Sequence, residues 1–250
     1  MKMITRALKM TAIVAASAAI IVAQTPGFAA NFSDDFNRAD SSTVGNGWTV
    51  GANGNGGGNN TPPIAGITGG QLVLSRAGWG SDGDIAVEHA LDAVTSIQLD
   101  MSWTLAEKGN PNADLSAIGA GGAYVMVRSF QSGSGKSVSV SLSNDGGWHD
   151  WITYGDYVDT TGVSTYKIST TGSQVTVDVL SGDSVLWSRS YAFALQSINE
   201  AAIKGNWAGW EAGGNIYADN FAATTAAVPE PSSLLALASV LPLAFLRRRR

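Results

Sequence analysis

The side chains in this chain best suited to chemistry are aromatic and set among glycines. Trp79, Trp148, Trp207 and Trp210 stand in the stretches AGWGSDGD, DGGWHDW and GNWAGWEAGG. An indole held out on a loop presents a flat apolar face and a single N–H donor, which suits the C–H face of a sugar. His149, Asp150, Asn206 and Glu211 lie beside these rings and can exchange hydrogen bonds with sugar hydroxyls. Trp151 and Tyr154 extend the first cluster along a strand, although their odd spacing turns them to opposite faces. The same four tryptophans can equally cap the ends of a hydrophobic core, in which case they touch no ligand.

Other reaction chemistry finds little footing. GSGKS (133–137) has the end of a phosphate loop, but that motif needs glycine where Phe130 stands, so it reads as a hairpin turn. There is neither a G-x-S-x-G elbow nor an H-E-x-x-H helix. With no cysteine in the chain, thiol catalysis, thiolate zinc and iron–sulfur clusters are excluded. His89 and His149 are too few for most histidine-rich metal sites. Hard oxygen ligands in turns suit calcium. Asp82 and Asp84 in SDGDIAVE form one candidate pair, without the spacing of an EF-hand loop.

Periodicity indicates what positions these residues. Ile97, Leu99, Met101 and Trp103 alternate with Gln98, Asp100 and Ser102; Val138, Val140 and Leu142 alternate with serines; Val175, Val177 and Val179 enclose Thr176 and Asp178. A period of two is the mark of a half-buried strand. Segments 122–130 and 183–191 are further strands, and the stretches QSGSGK, SNDGG, TTGSQ and LSGDS between them are turn chemistry. Only AFALQSI (192–198) reads as weakly helical. Around a dozen short strands predict a sandwich or jelly roll, with Trp48, Trp103 and Trp187 in its core and Asp100 a lone, solvated carboxylate. GANGNGGGNN (51–60) holds five glycines, four asparagines and one alanine, and predicts a mobile surface loop closed by Pro62 and Pro63.

The two ends differ from this middle. Lys2, Arg6 and Lys9 precede an apolar run from Thr11 to Ala23, and Gly27-Phe28-Ala29 puts small residues where a signal peptidase reads. Residues 1–29 are therefore expected to be a signal peptide cleaved after Ala29. At the other end Ser232 to Leu246 is fifteen residues without a charge, about 22 Å long as a helix. Arg247, Arg248, Arg249 and Arg250 follow it. A full membrane span needs about 20 apolar residues, so this is a short segment whose arginines snorkel and stop on the cytoplasmic side. Val228-Pro229-Glu230-Pro231, the apolar run and the arginine cluster, in that order, resemble a PEP-CTERM sorting signal. The resemblance implies export by a Gram-negative bacterium, recognition of the tail by a membrane exosortase, its removal, and delivery to the cell surface or exopolysaccharide. The chain thus divides into a signal peptide, a body of residues 30–227, and a sorting segment of residues 228–250 containing a single apolar helix. The body keeps eight basic and nineteen acidic residues, a formal charge of −11. Phosphate backbones are bound by neutralising them with Lys and Arg. Nucleic acid is therefore excluded as a partner, whereas calcium suits such a body.

FSDDFNRADSSTVGNGWTV (32–50) resembles the opening of concanavalin A-like, laminin-G-like sandwiches in bacterial surface proteins, and NIYADNFAA (215–223) resembles their closing strand. The resemblance implies an all-β, two-sheet antiparallel jelly roll with the closing strand beside the first, and a leaning towards carbohydrate or surface binding. It also implies a structural calcium ion tying first strand to last through Asp34 or Asp35 with Asp219. Retaining glycosidases of this fold carry E-x-D-x-E or E-x-D-x-x-E on one strand, which sets nucleophile and acid on one face. The body's glutamates are Glu88, Glu107, Glu200 and Glu211, and none begins such a motif. The expectation is a non-catalytic surface or matrix protein that contacts polysaccharide through its loop aromatics, with signal peptidase and exosortase as processing partners. A glycan hydrolase or lyase is the second reading, and needs two acids brought together from distant segments. A purely structural, adhesive or ice-binding surface protein is the third, and the absence of T-x-T repeats places ice binding last.

Overall fold

Alternating segments become strands because each can bury one side of its pleat and leave the other to water. The computed structural model describes residues 30–51, 54–55, 63–76, 83–103, 111–132, 135–144, 153–157, 162–207 and 214–225. The expected signal peptide and the sorting segment from Val228 to Arg250 lie outside the described residues. Among the described residues no helix is long and apolar enough to cross a membrane.

Sixteen strands run through the described residues: β1 (Ala30–Asp34), β2 (Thr49–Val50), β3 (Gly54–Asn55), β4 (Ile64–Thr68), β5 (Gln71–Arg76), β6 (Gly83–Val94), β7 (Ser96–Trp103), β8 (Pro111–Ile118), β9 (Tyr124–Ser132), β10 (Gly135–Ser143), β11 (Thr153–Tyr157), β12 (Ser164–Thr170), β13 (Gln174–Ser181), β14 (Ser184–Ala192), β15 (Ile198–Trp207) and β16 (Gly214–Thr224). They form two antiparallel sheets. The first runs β14-β13-β12-β7-β16-β5-β4 with β1 on β16, and the second runs β11-β10-β9-β8-β15-β6-β2 with β3 on β6. The opening and closing strands are neighbours, as the resemblance implies, with Asp34 opposite Phe221.

One core lies between the sheets. Leu74, Leu99, Ile168 and Ile216 enter it from the first, and Val87, Leu115, Val127 and Ile203 from the second, all fully buried. Each such side chain contributes about 1.5–3 kcal/mol by leaving water. Trp48, Trp103 and Trp187 are buried in this core, as their strand positions predict. Trp103 keeps its indole N–H satisfied by donating to Ser129 Oγ at 3.1 Å.

Two expectations are corrected. Residues 193–197 are not helical; they join β14 to β15 in an irregular run in which Phe193 and Leu195 are buried and Ala194 and Gln196 exposed. That is a period of two, and Thr170 holds the run by donating its hydroxyl to the Leu195 carbonyl. The 51–60 stretch is not all loop, since Gly54 and Asn55 pair with Asp84 and Gly83 of β6. Backbone pairing needs no side chain to bury, so a glycine-rich stretch can enter a sheet edge.

The FSDDF stretch owes its composition to a buried carboxylate. Asp34 Oδ1 accepts from the Phe36 N–H at 2.8 Å and from Arg38 Nη1 at 2.7 Å. Its Oδ2 accepts from Arg38 Nη2 at 3.0 Å and from Trp48 Nε1 at 2.9 Å. These four bonds use the roughly four lone-pair sites that a carboxylate offers. Arg38 also donates Nε to the Val44 carbonyl, which closes the 34–48 segment on itself. Phe32 then stacks on His89 at 3.8 Å between ring centroids and tilts against Phe221 at 5.8 Å, which couples β1 to both sheets. Burial alone would raise the Asp34 pKa, but bonds from Arg38, Asn46 and the Phe36 amide outweigh it and hold the carboxyl below its ordinary value. A depressed carboxyl pKa stabilises the fold fully above the unfolded value, about 3.9, and loses that contribution as pH falls through the folded value. Asp34→Asn is expected to cost about 2–3 kcal/mol at pH 7. In urea unfolding the gap between variant and parent should shrink once the pH drops below about 3.9, whereas a gap unchanged at low pH would show that the ionised form contributes nothing.

Candidate functional site

With Val87, Leu115, Val127 and Ile203 turned inward, the alternate residues of β6, β8, β9 and β15 face away from the core. Register then aligns them in rows. Lys204 lies opposite Asp114 on one side and Ala86 on the other. Asp114 lies opposite Arg128, and Arg128 opposite Ser139. The next row holds Glu88, Ala202, Ser116 and Met126. On the far side of the Lys204 row, Asn206 lies between Asp84 and Asn112.

These rows make a groove of about 270 Å³. Its polar end is lined by Asp84, Asn206, Lys204, Asp114 and Arg128, and its less polar end by Tyr124, Ile118 and Met126. Ser116 lies on its floor, 2% exposed, and its hydroxyl has no hydrogen-bond partner. Asn112 Nδ2 donates to Asn206 Oδ1 at 3.4 Å. A groove with planar and aliphatic surface at one end and fixed donors and acceptors at the other is the usual build of a small-ligand or sugar site.

The buried charge in this groove is matched. Arg128 Nε and Nη2 donate to Asp114 Oδ1 and Oδ2, both at 2.7 Å, in a bidentate pair. Burial opposes the Arg128 charge, but the bonds and charge of Asp114 outweigh it and hold the guanidinium above its ordinary pKa. Beside the groove, Glu200 is opposite Ile118 of β8 and Ala90 of β6, diagonal to Glu88. Burial and the Glu88 charge push the Glu200 carboxyl above its ordinary pKa, with Lys204 opposing them.

Few of the residues expected from sequence meet here. Asn206 lines the groove, and so does Asp84, one half of the expected calcium pair. Trp79, Asp82, Trp148, His149, Asp150, Trp151, Trp210 and Glu211 lie outside the described residues. Tyr154 belongs to β11, where its backbone is opposite Ser139 of β10.

Trp207 is a correction. It is the last residue of β15, faces inward and is fully buried, so it cannot stack on a ligand. Gly205 makes this possible: a Cβ there would stand 2.6 Å from Trp207 Cη2, so the indole folds back over a position with no side chain. The spacing Gly-x-Trp on one strand face was the available signal.

Asp34, expected as a calcium ligand, has its acceptor sites engaged within the 34–48 segment. Asp35 accepts from the Asn37 N–H, and Asp219 accepts from the Asn220 N–H and lies opposite Asp100 of β7 rather than β1. Among the described residues no group of three or more His, Cys, Asp or Glu is gathered as a metal ion would need.

Sequence reading missed Asp114, Ser116, Tyr124, Arg128 and Lys204, which alternate correctly for a strand but look like any solvated face. Arg128→Met would strand a buried carboxylate and is expected to cost about 3 kcal/mol, much of it recovered by adding Asp114→Leu. Urea unfolding of the two single variants and the double variant checks this; additive losses would mean the pair is not coupled. Trp207→Ala is expected to lower stability by about 3–5 kcal/mol as a core truncation, read as a fall in the thermal midpoint.

Compared by sequence, the chain matches no family model and no curated protein. Compared by structure, it is similar to the CBM2 module of the evolved Dit of Lactobacillus casei BL23 phage J-1, with a TM-score of 0.57 and 11% identity, covering 80% of this chain and 97% of that one. It is similar to a glycosyl hydrolase family protein from Mycobacterium fortuitum, at TM-score 0.55 and 14% identity over 78% and 99% of the two chains. It is also similar to the carbohydrate recognition domain of Emp47p, at TM-score 0.51 and 13% identity over 81% and 99%. At such identities the likeness is one of fold: two antiparallel sheets packed as a sandwich, an architecture that carbohydrate-binding modules and glycosidase-like proteins share.

Proposed function

We propose that this is an exported surface or matrix protein that binds polysaccharide, without cleaving it, in the groove across the outer face of its second sheet. The observation that carries the reading is the groove itself, where Tyr124 and Ile118 meet Asn206, Lys204 and a floor hydroxyl on Ser116 that has no partner. Sandwich folds of carbohydrate-binding proteins give it a setting, although fold alone does not assign function. Export follows from the signal peptide expected over residues 1–29. The Val228-Pro229-Glu230-Pro231 motif, the apolar run and the four arginines supply transient membrane anchoring and processing by an exosortase. The jelly-roll, concanavalin A-like assignment belongs to the same reading.

A glycan-active enzyme is the second reading, favoured by one observation: Glu88 and Glu200, remote in sequence, share one sheet face. It requires the release of reducing ends, which binding alone does not.

Affinity electrophoresis of the purified protein against a panel of polysaccharides tests the first reading. Retardation is expected on at least one glycan, weakened about tenfold, or ~1.4 kcal/mol, by Tyr124→Ala or Asn206→Ala with the thermal midpoint kept. Retardation indifferent to both variants, or none on any glycan, would remove the groove from consideration. New reducing ends that disappear in Glu200→Gln would move the protein to the second reading.

A further inference from the structure

The groove and its margin have an imbalance of charge that a ligand can correct. On the outward face of β6, β8, β9 and β15, the described residues Asp84, Glu88, Asp114 and Glu200 are set against Lys204 and Arg128. Arg128 is committed to Asp114 by two bonds. That leaves Lys204, which is opposite Ala86, with Asp84 and Glu88 diagonal to it on β6 and Glu200 four residues away along β15. Glu200 has the groove-lining Ile118 opposite it and stands in the row next to that of Glu88, Ala202 and Ser116. Diagonal neighbours on antiparallel strands stand about 7–8 Å apart, so two flexible carboxylates at those positions can both reach one cation placed between them. Without one they repel each other; burial, and then the Glu88 charge, push the Glu200 carboxyl above its ordinary pKa, with Lys204 opposing them. Independently of the acids, the buried Ser116 hydroxyl lies in the same row as Glu88 and lacks a partner. A buried hydroxyl left unpaired is destabilising, and a ligand hydroxyl recovers that loss.

We propose that the polysaccharide this groove takes carries free amino groups, its hydroxyls reaching Ser116 while an ammonium lies between Glu88 and Glu200. The proposal rests on the groove being a glycan site and names the class of glycan. The body's formal charge of −11 acts in the same direction, since it draws a polycation and repels a polymer of uronic acids. Lys204 does not reverse this, because one ammonium cannot neutralise three neighbouring carboxylates. An N-acetylated sugar is uncharged at the same position and leaves the Glu88–Glu200 repulsion in place.

The test is calorimetric titration of the full chain with glucosamine oligomers and with N-acetylglucosamine oligomers of equal length. The free-amine oligomer is expected to bind about tenfold tighter, or ~1.4 kcal/mol. That preference should fade as rising pH removes the amine proton. Glu88→Gln and Glu200→Gln should each narrow the difference between the two oligomers. Ser116→Val should weaken both, with the thermal midpoint recorded to separate a lost contact from a lost fold. A preference that survives both glutamine variants would be diffuse attraction to an acidic body and would overturn the proposal. Equal binding of the two oligomers, or tighter binding of the acetylated one, would overturn it while leaving the groove as a glycan site. Binding of neither oligomer, together with failure across the polysaccharide panel, would defeat the glycan reading itself and the proposal with it.

Discussion

Val87, Leu115, Val127 and Ile203 from one sheet join Leu74, Leu99, Ile168 and Ile216 from the other in a single buried cluster. The rest of the molecule depends on that contact. Strand side chains alternate with a period of two, so committing these residues inward commits Asp114, Ser116, Arg128 and Lys204 outward. A slip of one residue between β8 and its neighbours would turn that strand over and send Asp114 and Ser116 into the core. Desolvating unpaired charge costs far more than a buried aliphatic residue contributes. The groove is thus held in register by apolar burial on the opposite side of the same sheet.

Two buried carboxylates set the polar order of the fold, and they are used differently. Asp34 is surrounded by donors from its own stretch of chain, Arg38, Trp48 and the Phe36 amide. It closes a local segment and ties β1 and its aromatic neighbours to the sandwich. Asp114 is met by a single arginine from the next strand, which leaves the remainder of its row open to a ligand. The first carboxylate is saturated by donors from its own protein. The second is neutralised within a groove whose floor hydroxyl, on Ser116, has no partner.

Much of the architecture is readable without coordinates. The alternations at 97–103, 138–142 and 175–179 become β7, β10 and β13, and Trp48, Trp103 and Trp187 are core as their positions imply. Where reading failed, short-range pattern gave way to long-range packing. The 192–198 stretch has a helical composition, but burying Phe193 and Leu195 at a spacing of two prevails. Trp207, set among glycines, resembles an exposed loop aromatic until Gly205 is recognised as the space its ring occupies.

The amino-acid sequence by itself determined the class of fold, the inward face of its clearest strands, the acidic character of the body and the exclusion of thiol chemistry. Each of these is local or compositional: alternation is read within one strand, and charge and cysteine are counted. Only the tertiary structure decided which outward residues became neighbours. Asp84, Lys204, Asp114 and Arg128 come from four strands, and Glu88 meets the margin of the same groove as Glu200 because β6 and β15 pair antiparallel across a long intervening stretch of chain. Alternation tells on which side of a strand a residue stands. It is silent about which strand lies alongside, because that is settled by closing two sheets over one core.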